Sequence, residues 1–176
     1  MKFSLLWVKG MTIVVLALLS SIVMAERELN AGDVDAWLAT TEQLMPMQDV
    51  FEKMGQGSTI ADEYTEEEFK ALSIEKQDEV MDDMLKEQGA YDQIYAVLNE
   101  YEWPSAGEYM RVSSRIGMAI AARMRDQMMK SLPAEQRQMM EEMSGPVNAN
   151  PADVALVESN WDKVSQFMGK YMQAPK

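Results

Sequence analysis

Methionine is the residue type in this chain whose number and spacing could do chemistry. The sequence has 18 methionines, no histidine and no cysteine. Thioether sulfur is a soft ligand that suits Cu(I), and residues three or four apart share one side of a helix. Most methionines beyond the first 25 residues form short clusters: Met45 and Met47; Met81 and Met84; Met124, Met128 and Met129; Met139, Met140 and Met143; Met168 and Met172.

The lack of histidine and cysteine excludes many kinds of site. Serine–histidine triads, cysteine nucleophiles, HExxH zinc sites, covalent haem attachment and the ExxH pairs of di-iron bundles all need one of these residues. A glycine-rich phosphate loop is also absent from the sequence. A hydrolase that uses two carboxylates remains an alternative. With 29 acidic residues, however, a suitably spaced pair arises by chance, and we predict no enzyme.

The first 25 residues have the pattern of an export signal. Lys2 and Lys9 give a positive start, an apolar run follows from Met11, and Ala25 suits a signal peptidase. The run of 15 residues is shorter than the roughly 20 that a spanning helix needs, so an uncleaved anchor is the second choice. We predict cleavage after Ala25 and a periplasmic or secreted protein of 151 residues, 26–176, without membrane association.

Acidic residues are concentrated in the first part of the predicted mature chain. Residues 26–108 contain 22 acidic and 5 basic residues, whereas residues 109–176 contain 7 acidic and 9 basic residues. Phosphates would be repelled by the dominant negative field, which argues against nucleic acid as a partner. With no cysteine, packing alone must hold the fold together.

The apolar periodicity predicts helices throughout and no strands. Proline at position 46 predicts a break in the first helix. Capping boxes begin helices at Thr65 with Glu68 and at Ser105 with Glu108, and Pro151 suits a first helical position. We therefore predict an all-α fold, a single-domain bundle of five to seven helices.

The longest predicted helix, Ser105 to Lys130, organises this bundle. Its apolar stripe predicts a core face that consists of Ser113, Ile116, Gly117, Ile120, Met124 and Met128. Gly117 weakens a helix by roughly 1 kcal/mol, which predicts a closely packed neighbour. The opposite side carries Arg111, Arg115, Arg123 and Arg125, which we expect to serve either as counter-ions for the acidic helices or as a contact for a partner.

Two readings of the remaining methionines stay open. Met129, Met139, Met140 and Met143 are hard to bury on one short helix, so they are either core residues or an exposed surface that accepts varied apolar partners. Nearby, Leu132-Pro133-Ala134-Glu135-Gln136 resembles the Leu-Thr-x-x-Gln element of small helical periplasmic chaperones of the Spy type. The resemblance covers five residues, with Pro133 where that family has threonine and with no second copy.

The sequence thus favours an exported helical binding or adaptor protein, chaperone-like in character, with a protein partner or self-association. Its candidate contacts are Met128, Met129, Met139, Met140 and Met143, with Arg111, Arg115, Arg123 and Arg125. The alternative is a methionine-rich Cu(I)-binding protein, and the carboxylate hydrolase comes third. The leading hypothesis includes no cofactor, no metal and no catalytic residue.

Overall fold

The structure, a computed structural model, describes residues 27–50, 63–144 and 147–171, without the side chains of residue 66 and residues 142–144. These residues are helical with no strand among them, which confirms the all-α prediction. The predicted signal, residues 1–25, lies outside the described residues. No helix in the described ranges combines the length and the apolar character that crossing a bilayer requires.

Eight α-helices and one short 3₁₀ helix make up the described chain. They are α1 (Ala31–Leu44), the 3₁₀ helix (Met45–Met47), α2 (Glu66–Ala71), α3 (Ile74–Glu87), α4 (Tyr91–Glu100), α5 (Ala106–Ser131), α6 (Ala134–Ser144), α7 (Pro151–Ser159) and α8 (Trp161–Tyr171). The predicted break at Pro46 is confirmed, since α1 ends at Leu44 and the 3₁₀ helix contains the proline.

Side-chain caps begin several of these helices. Thr65 and Glu68 form the predicted capping box of α2, and the bond from the Thr65 amide lowers the pKa of the Glu68 carboxyl. The Ser105 hydroxyl accepts from the Glu108 amide at 2.9 Å and so caps α5, as predicted. Asn150 accepts from the Ala152 amide, and Pro151 opens α7. Each cap satisfies backbone donors that the first helical turn leaves open.

The prediction of five to seven helices was too low because the last helix is divided at Asn160. Its side-chain amide donates to the Leu156 carbonyl at 2.9 Å and to the Ser159 hydroxyl at 3.2 Å. Asparagine offers the backbone such local alternatives to continued helix. Consequently α7 ends at Ser159 and α8 begins at Trp161.

The described residues form two compact units, each with its own buried side chains. Of the described residues, the N-terminal unit contains 27, 32–50 and 63–113, and the C-terminal unit contains 28–31, 114–144 and 147–171. Helix α5 contributes its first two turns to the N-terminal unit and the rest to the C-terminal unit. The sequence analysis predicted a single domain. The structure divides into two compact units, and helix α5 belongs to both of them.

The N-terminal unit buries aromatic residues whose polar atoms are satisfied. The Trp37 indole donates to the Ser113 hydroxyl at 3.1 Å, and the Trp103 indole donates to the Thr40 hydroxyl at 2.7 Å. Tyr109 shares a hydrogen bond with Thr41 at 3.0 Å, and its burial raises the pKa of the phenol. These bonds connect α1 to α5 and to the residues before α5, and they remove the cost of burying polar groups.

The C-terminal unit contains the rest of α5, from Ser114 onward. Its buried side chains include Leu29 before α1, Ile116 and Ala119 on α5, Val157 on α7 and Val164 on α8. Arg123 and Asp153 are also buried in this unit. This core therefore contains charged groups, which the apolar pattern alone did not assign to it.

Candidate binding surface

Among the described residues of the C-terminal unit, three large apolar side chains are exposed, and all three are methionines. The exposed fractions are 43% for Met124, 44% for Met128 and 62% for Met139. By contrast, Met81 in the N-terminal unit is only 8% exposed. An exposed apolar patch on a soluble domain often marks a contact with a partner.

Met124 and Met128 continue a row of small residues along α5. Gly117, Ala121, Met124 and Met128 recur every three or four residues, and together they form what we call the methionine stripe. Ala121 is exposed, and a Cβ added to Gly117 would meet no described atom within 4 Å. At a rise of 1.5 Å per residue the stripe is about 17 Å long. Three of its four residues, Ala121, Met124 and Met128, are exposed.

The exposed stripe corrects two predictions. Met124 and Met128 were expected in the core, and Gly117 was expected to face a close neighbour. Instead, the C-terminal unit buries the adjacent face of α5, which carries Ile116, Ala119 and Arg123. The buried face differs from the predicted one because Arg115 and Arg123 form ion pairs with Asp153 and Glu158 of α7. Apolar periodicity along α5 does not detect these partners.

Arg115 makes the best-defined of these contacts. Its Nε donates to Asp153 Oδ2 at 2.8 Å and its Nη2 donates to Asp153 Oδ1 at 2.7 Å. The Asp153 side chain is 4% exposed, so the pair lies in the core and not in solvent. Parallel bonds of this kind fix the orientation as well as the distance between α5 and α7.

Arg123 is a buried residue of α5 that contacts both of the last two helices. Its guanidinium lies 3.4 Å from the centre of the Trp161 ring and is paired with Glu158. Within the described residues, its Nη1 is buried and has no hydrogen-bond partner. Stacking on an aromatic ring suits the weakly hydrated guanidinium, which explains how this arginine can be a core residue.

Arg111 performs the equivalent task in the N-terminal unit. Its Nη1 donates to Asp78 Oδ1 at 2.7 Å, and its Nη2 donates to Glu108 Oε2 at 3.2 Å. Burial alone would lower the pKa of Arg111, but bonds to Asp78 and charges on Asp78 and Glu108 outweigh it and raise that pKa. Arg111 is thus a counter-ion for an acidic helix, α3, which is one of the two predicted roles, whereas Arg115 and Arg123 pair with acidic residues of α7 instead.

Arg125 differs from the other three arginines because it lines an open depression. This depression has a volume of about 260 Å³ and is lined by Ala122, Arg125, Asp126, Met129, Glu141 and Val147. It contains one guanidinium, two carboxylates and one thioether. Sequence reasoning missed Asp126 and Glu141, whose closeness depends on the turn between α5 and α6.

The candidate methionines thus occupy different environments. Met128 and Met139 are exposed, whereas Met129 and Met140 are half-buried. Met143 belongs to α6, and its side chain lies outside the description. Met124 and Ala121 are the exposed positions that sequence reasoning missed, although a row of small residues on a 26-residue helix was available as a signal.

Acidic side chains in the described ranges do not converge as metal ligands. No group of three or more aspartates and glutamates there could hold a metal ion. The one pattern of soft ligands on an exposed face is the i, i+4 pair of Met124 and Met128 within the described part of α5. No protein-family model matches this chain, and no curated protein or solved structure with which it was compared matches it either.

Proposed function

We propose that this chain is an exported binding protein whose methionine stripe, together with Met139, holds apolar segments of other proteins. The exposure of Met124, Met128 and Met139 is the observation that carries the proposal. Methionine is unbranched and polarizable, so it adapts to side chains of different shapes. Gly117 and Ala121 leave room for the backbone of a bound segment to lie close to α5.

The size and charge of the surface favour a short segment over a second copy. A stripe of about 17 Å matches roughly eleven residues of helix, which is less surface than the ~800 Å² per partner of a stable dimer. The N-terminal unit also carries most of the 29 acidic residues, so copies of the chain repel one another. The same charge would keep a protein with a bound apolar segment in solution.

Aggregation of reduced α-lactalbumin tests this function, because that client is itself acidic and would not bind through charge. We expect the protein to slow the aggregation, and we expect Met124→Gln, Met128→Gln and Met139→Gln together to abolish the effect. The three side chains are exposed, so the triple variant should keep its stability to within about 0.5 kcal/mol. The matched leucine triple variant should remain active.

Full activity of the stable glutamine variant would contradict the proposed surface. Self-association would instead appear as a concentration-dependent mass in sedimentation that the glutamine variant loses. Export is tested separately by the mass of the protein recovered outside the cytoplasm. A chain that begins at Glu26 supports cleavage after Ala25, and retention of residues 1–25 contradicts it.

Cu(I) binding is the second candidate, and the exposed i, i+4 pair of Met124 and Met128 favours it. Side chains at this spacing are about 5–6 Å apart at their Cβ atoms, close enough for two thioethers to share one ion. The leucine variant separates the two functions because leucine keeps the apolar surface and removes sulfur. One equivalent of Cu(I) bound under reducing conditions, and lost in the leucine variant, would support the copper function.

A further inference from the structure

The methionines in the described part of this chain differ in the fraction of their surface that is exposed to solvent. Because the chain has no cysteine, methionine supplies all of its sulfur. Met139 is 62% exposed and Met124 and Met128 are 43% and 44% exposed, whereas Met81 is 8% exposed. Access to solvent governs which sulfur atoms an oxidant reaches first. Three described methionines are therefore open to an oxidant, and Met81 is a buried methionine in the same chain with which they can be compared.

We infer that Met124, Met128 and Met139 form an oxidation site whose modification releases bound apolar segments. The oxidants are two-electron oxygen donors of the hydroperoxide class. A sulfur lone pair attacks the peroxide, the O–O bond breaks, and an S–O bond forms. The thioether is oxidised to a sulfoxide and hydrogen peroxide is reduced to water. Thiol-dependent methionine sulfoxide reductases reverse the modification.

The position of the three methionines explains why their oxidation would matter. Met124 and Met128 provide the two largest side chains of the methionine stripe, one helical turn apart. Two sulfoxides would place two polar oxygens within that turn, and an apolar segment would then have to desolvate them without gaining hydrogen bonds. The core would be spared because Ile116, Ala119 and Arg123 form the buried face of α5. This regulation rests on the proposed function, whereas the order of oxidation does not.

Limited oxidation of the purified protein with hydrogen peroxide tests both parts. Peptides cut at acidic residues are analysed by tandem mass spectrometry to follow each methionine over time. We expect the sulfoxides at Met124, Met128 and Met139 to form at least about tenfold faster than that at Met81, which must wait for the fold to open. Far-ultraviolet circular dichroism confirms that the helices remain folded at that stage.

The same oxidised sample is then assayed with reduced α-lactalbumin. We expect loss of the protection against aggregation, and its recovery after treatment with a methionine sulfoxide reductase and a thiol. The triple leucine variant, which has no sulfur at these positions, is assayed before and after the same peroxide treatment. We expect its activity after treatment to equal its own activity before treatment. Recovery by the reductase distinguishes this switch from irreversible damage elsewhere.

Three results would overturn the inference. They are oxidation of Met81 as fast as that of the exposed methionines, undiminished activity of the oxidised protein, and equal loss of activity in the leucine variant after peroxide. A reduced protein that never protects the client would contradict the proposed function and with it the release of bound segments. The mass-spectrometric order of oxidation would then still support or contradict the oxidation site by itself.

Discussion

At the residue scale, a glycine allows a carboxylate to rest on the start of α5. The Asp78 side chain accepts from the Ser105 hydroxyl at 2.6 Å and from Arg111 Nη1 at 2.7 Å. A Cβ added to Gly107 would lie 2.0 Å from Asp78 Oδ1. The carboxylate also benefits from the positive end of the helix dipole. Gly107 is therefore required because of space, and not because of an unusual backbone angle.

Replacement of Gly107 by alanine should destabilise the protein. The new methyl group would displace Asp78 from Ser105 and Arg111, at a cost of about 1–3 kcal/mol for overpacking and more if the ion pair is lost. Gly117→Ala is the matched control in the same helix, where nothing described would clash and better helix propensity should add about 0.5–1 kcal/mol. Urea unfolding followed by circular dichroism measures both. Equal stabilisation by the two substitutions would contradict this arrangement.

Tyr109 should make stability depend on pH in the alkaline range. Burial raises the pKa of its phenol in the folded state above the ordinary value of 10.0, so folding favours the neutral form. The stabilisation is complete below the unfolded pKa and is lost as the pH rises through the folded pKa. Tyr109→Phe should therefore weaken the fall in unfolding free energy above about pH 10.

Tyr171→Phe provides the control for Tyr109, since it removes a phenol near the end of α8. In the Tyr109→Phe variant, part of the fall in unfolding free energy at alkaline pH should remain because of Tyr95. Desolvation of Tyr95 and its bond to Asp82 raise the pKa of its phenol too. Identical pH profiles for the wild-type and Tyr109→Phe proteins would show that Tyr109 is not buried in its neutral form.

At the element scale, ion pairs decide how α5 packs against its neighbours. Arg115 binds Asp153 on α7, and Arg123 binds Glu158 on α7 and stacks on Trp161 of α8. The exposed pair of Lys76 and Glu79 on α3 has a similar 2.8 Å separation but lies in water. The Arg115–Asp153 pair should affect stability most, because its side chains are 15% and 4% exposed, whereas water screens the exposed Lys76–Glu79 pair and also reaches Glu158, which is 61% exposed.

Removal of one member of the Arg115–Asp153 pair should cost about 3–5 kcal/mol, since it leaves a mostly buried charge without this partner. Asp153→Leu tests this cost. Replacing both residues, by Arg115→Met with Asp153→Leu, should recover much of the loss because no charge then stays buried. Lys76→Ala should change stability by at most about 0.5 kcal/mol. The single variant Arg115→Met completes the comparison. If the double variant loses as much unfolding free energy as the two single variants lose together, the two side chains are not coupled.

At the scale of the whole molecule, the two units share one continuous helix. Their boundary falls between Ser113 and Ser114, inside α5. Loss of either unit would remove packing from part of this helix, and short helices without tertiary packing are marginal in water. The units should therefore unfold together, although each has its own buried residues.

Urea unfolding should show a single transition at one midpoint by two probes. In a Trp161→Phe variant of residues 26–176, which lacks Trp7, fluorescence reports on Trp37 and Trp103 of the N-terminal unit, whereas circular dichroism follows all helices. Coinciding midpoints are the standard test of two-state unfolding. A lower or higher midpoint for the fluorescence than for the circular dichroism would show that the units unfold separately.

Helix boundaries were predictable from the sequence because their causes are local. Pro46 breaks the first helix, Thr65 and Glu68 form a capping box, and Pro151 opens α7, all within one helical turn of the residues they affect. The break at Asn160 was not predicted, because asparagine does not always end a helix. The all-α class likewise follows from periodicity along the chain.

The sequence by itself thus determined the helical class, the acidic first half and most helix starts, all of which depend on neighbouring residues. Only the tertiary structure decided which face of α5 is buried. Arg115 and Arg123 enter the core through Asp153 and Glu158, which lie 38 and 35 residues away along the chain. Periodicity along one helix contains no term for such distant partners, and for that reason Met124 and Met128 were predicted inside and are found at the surface.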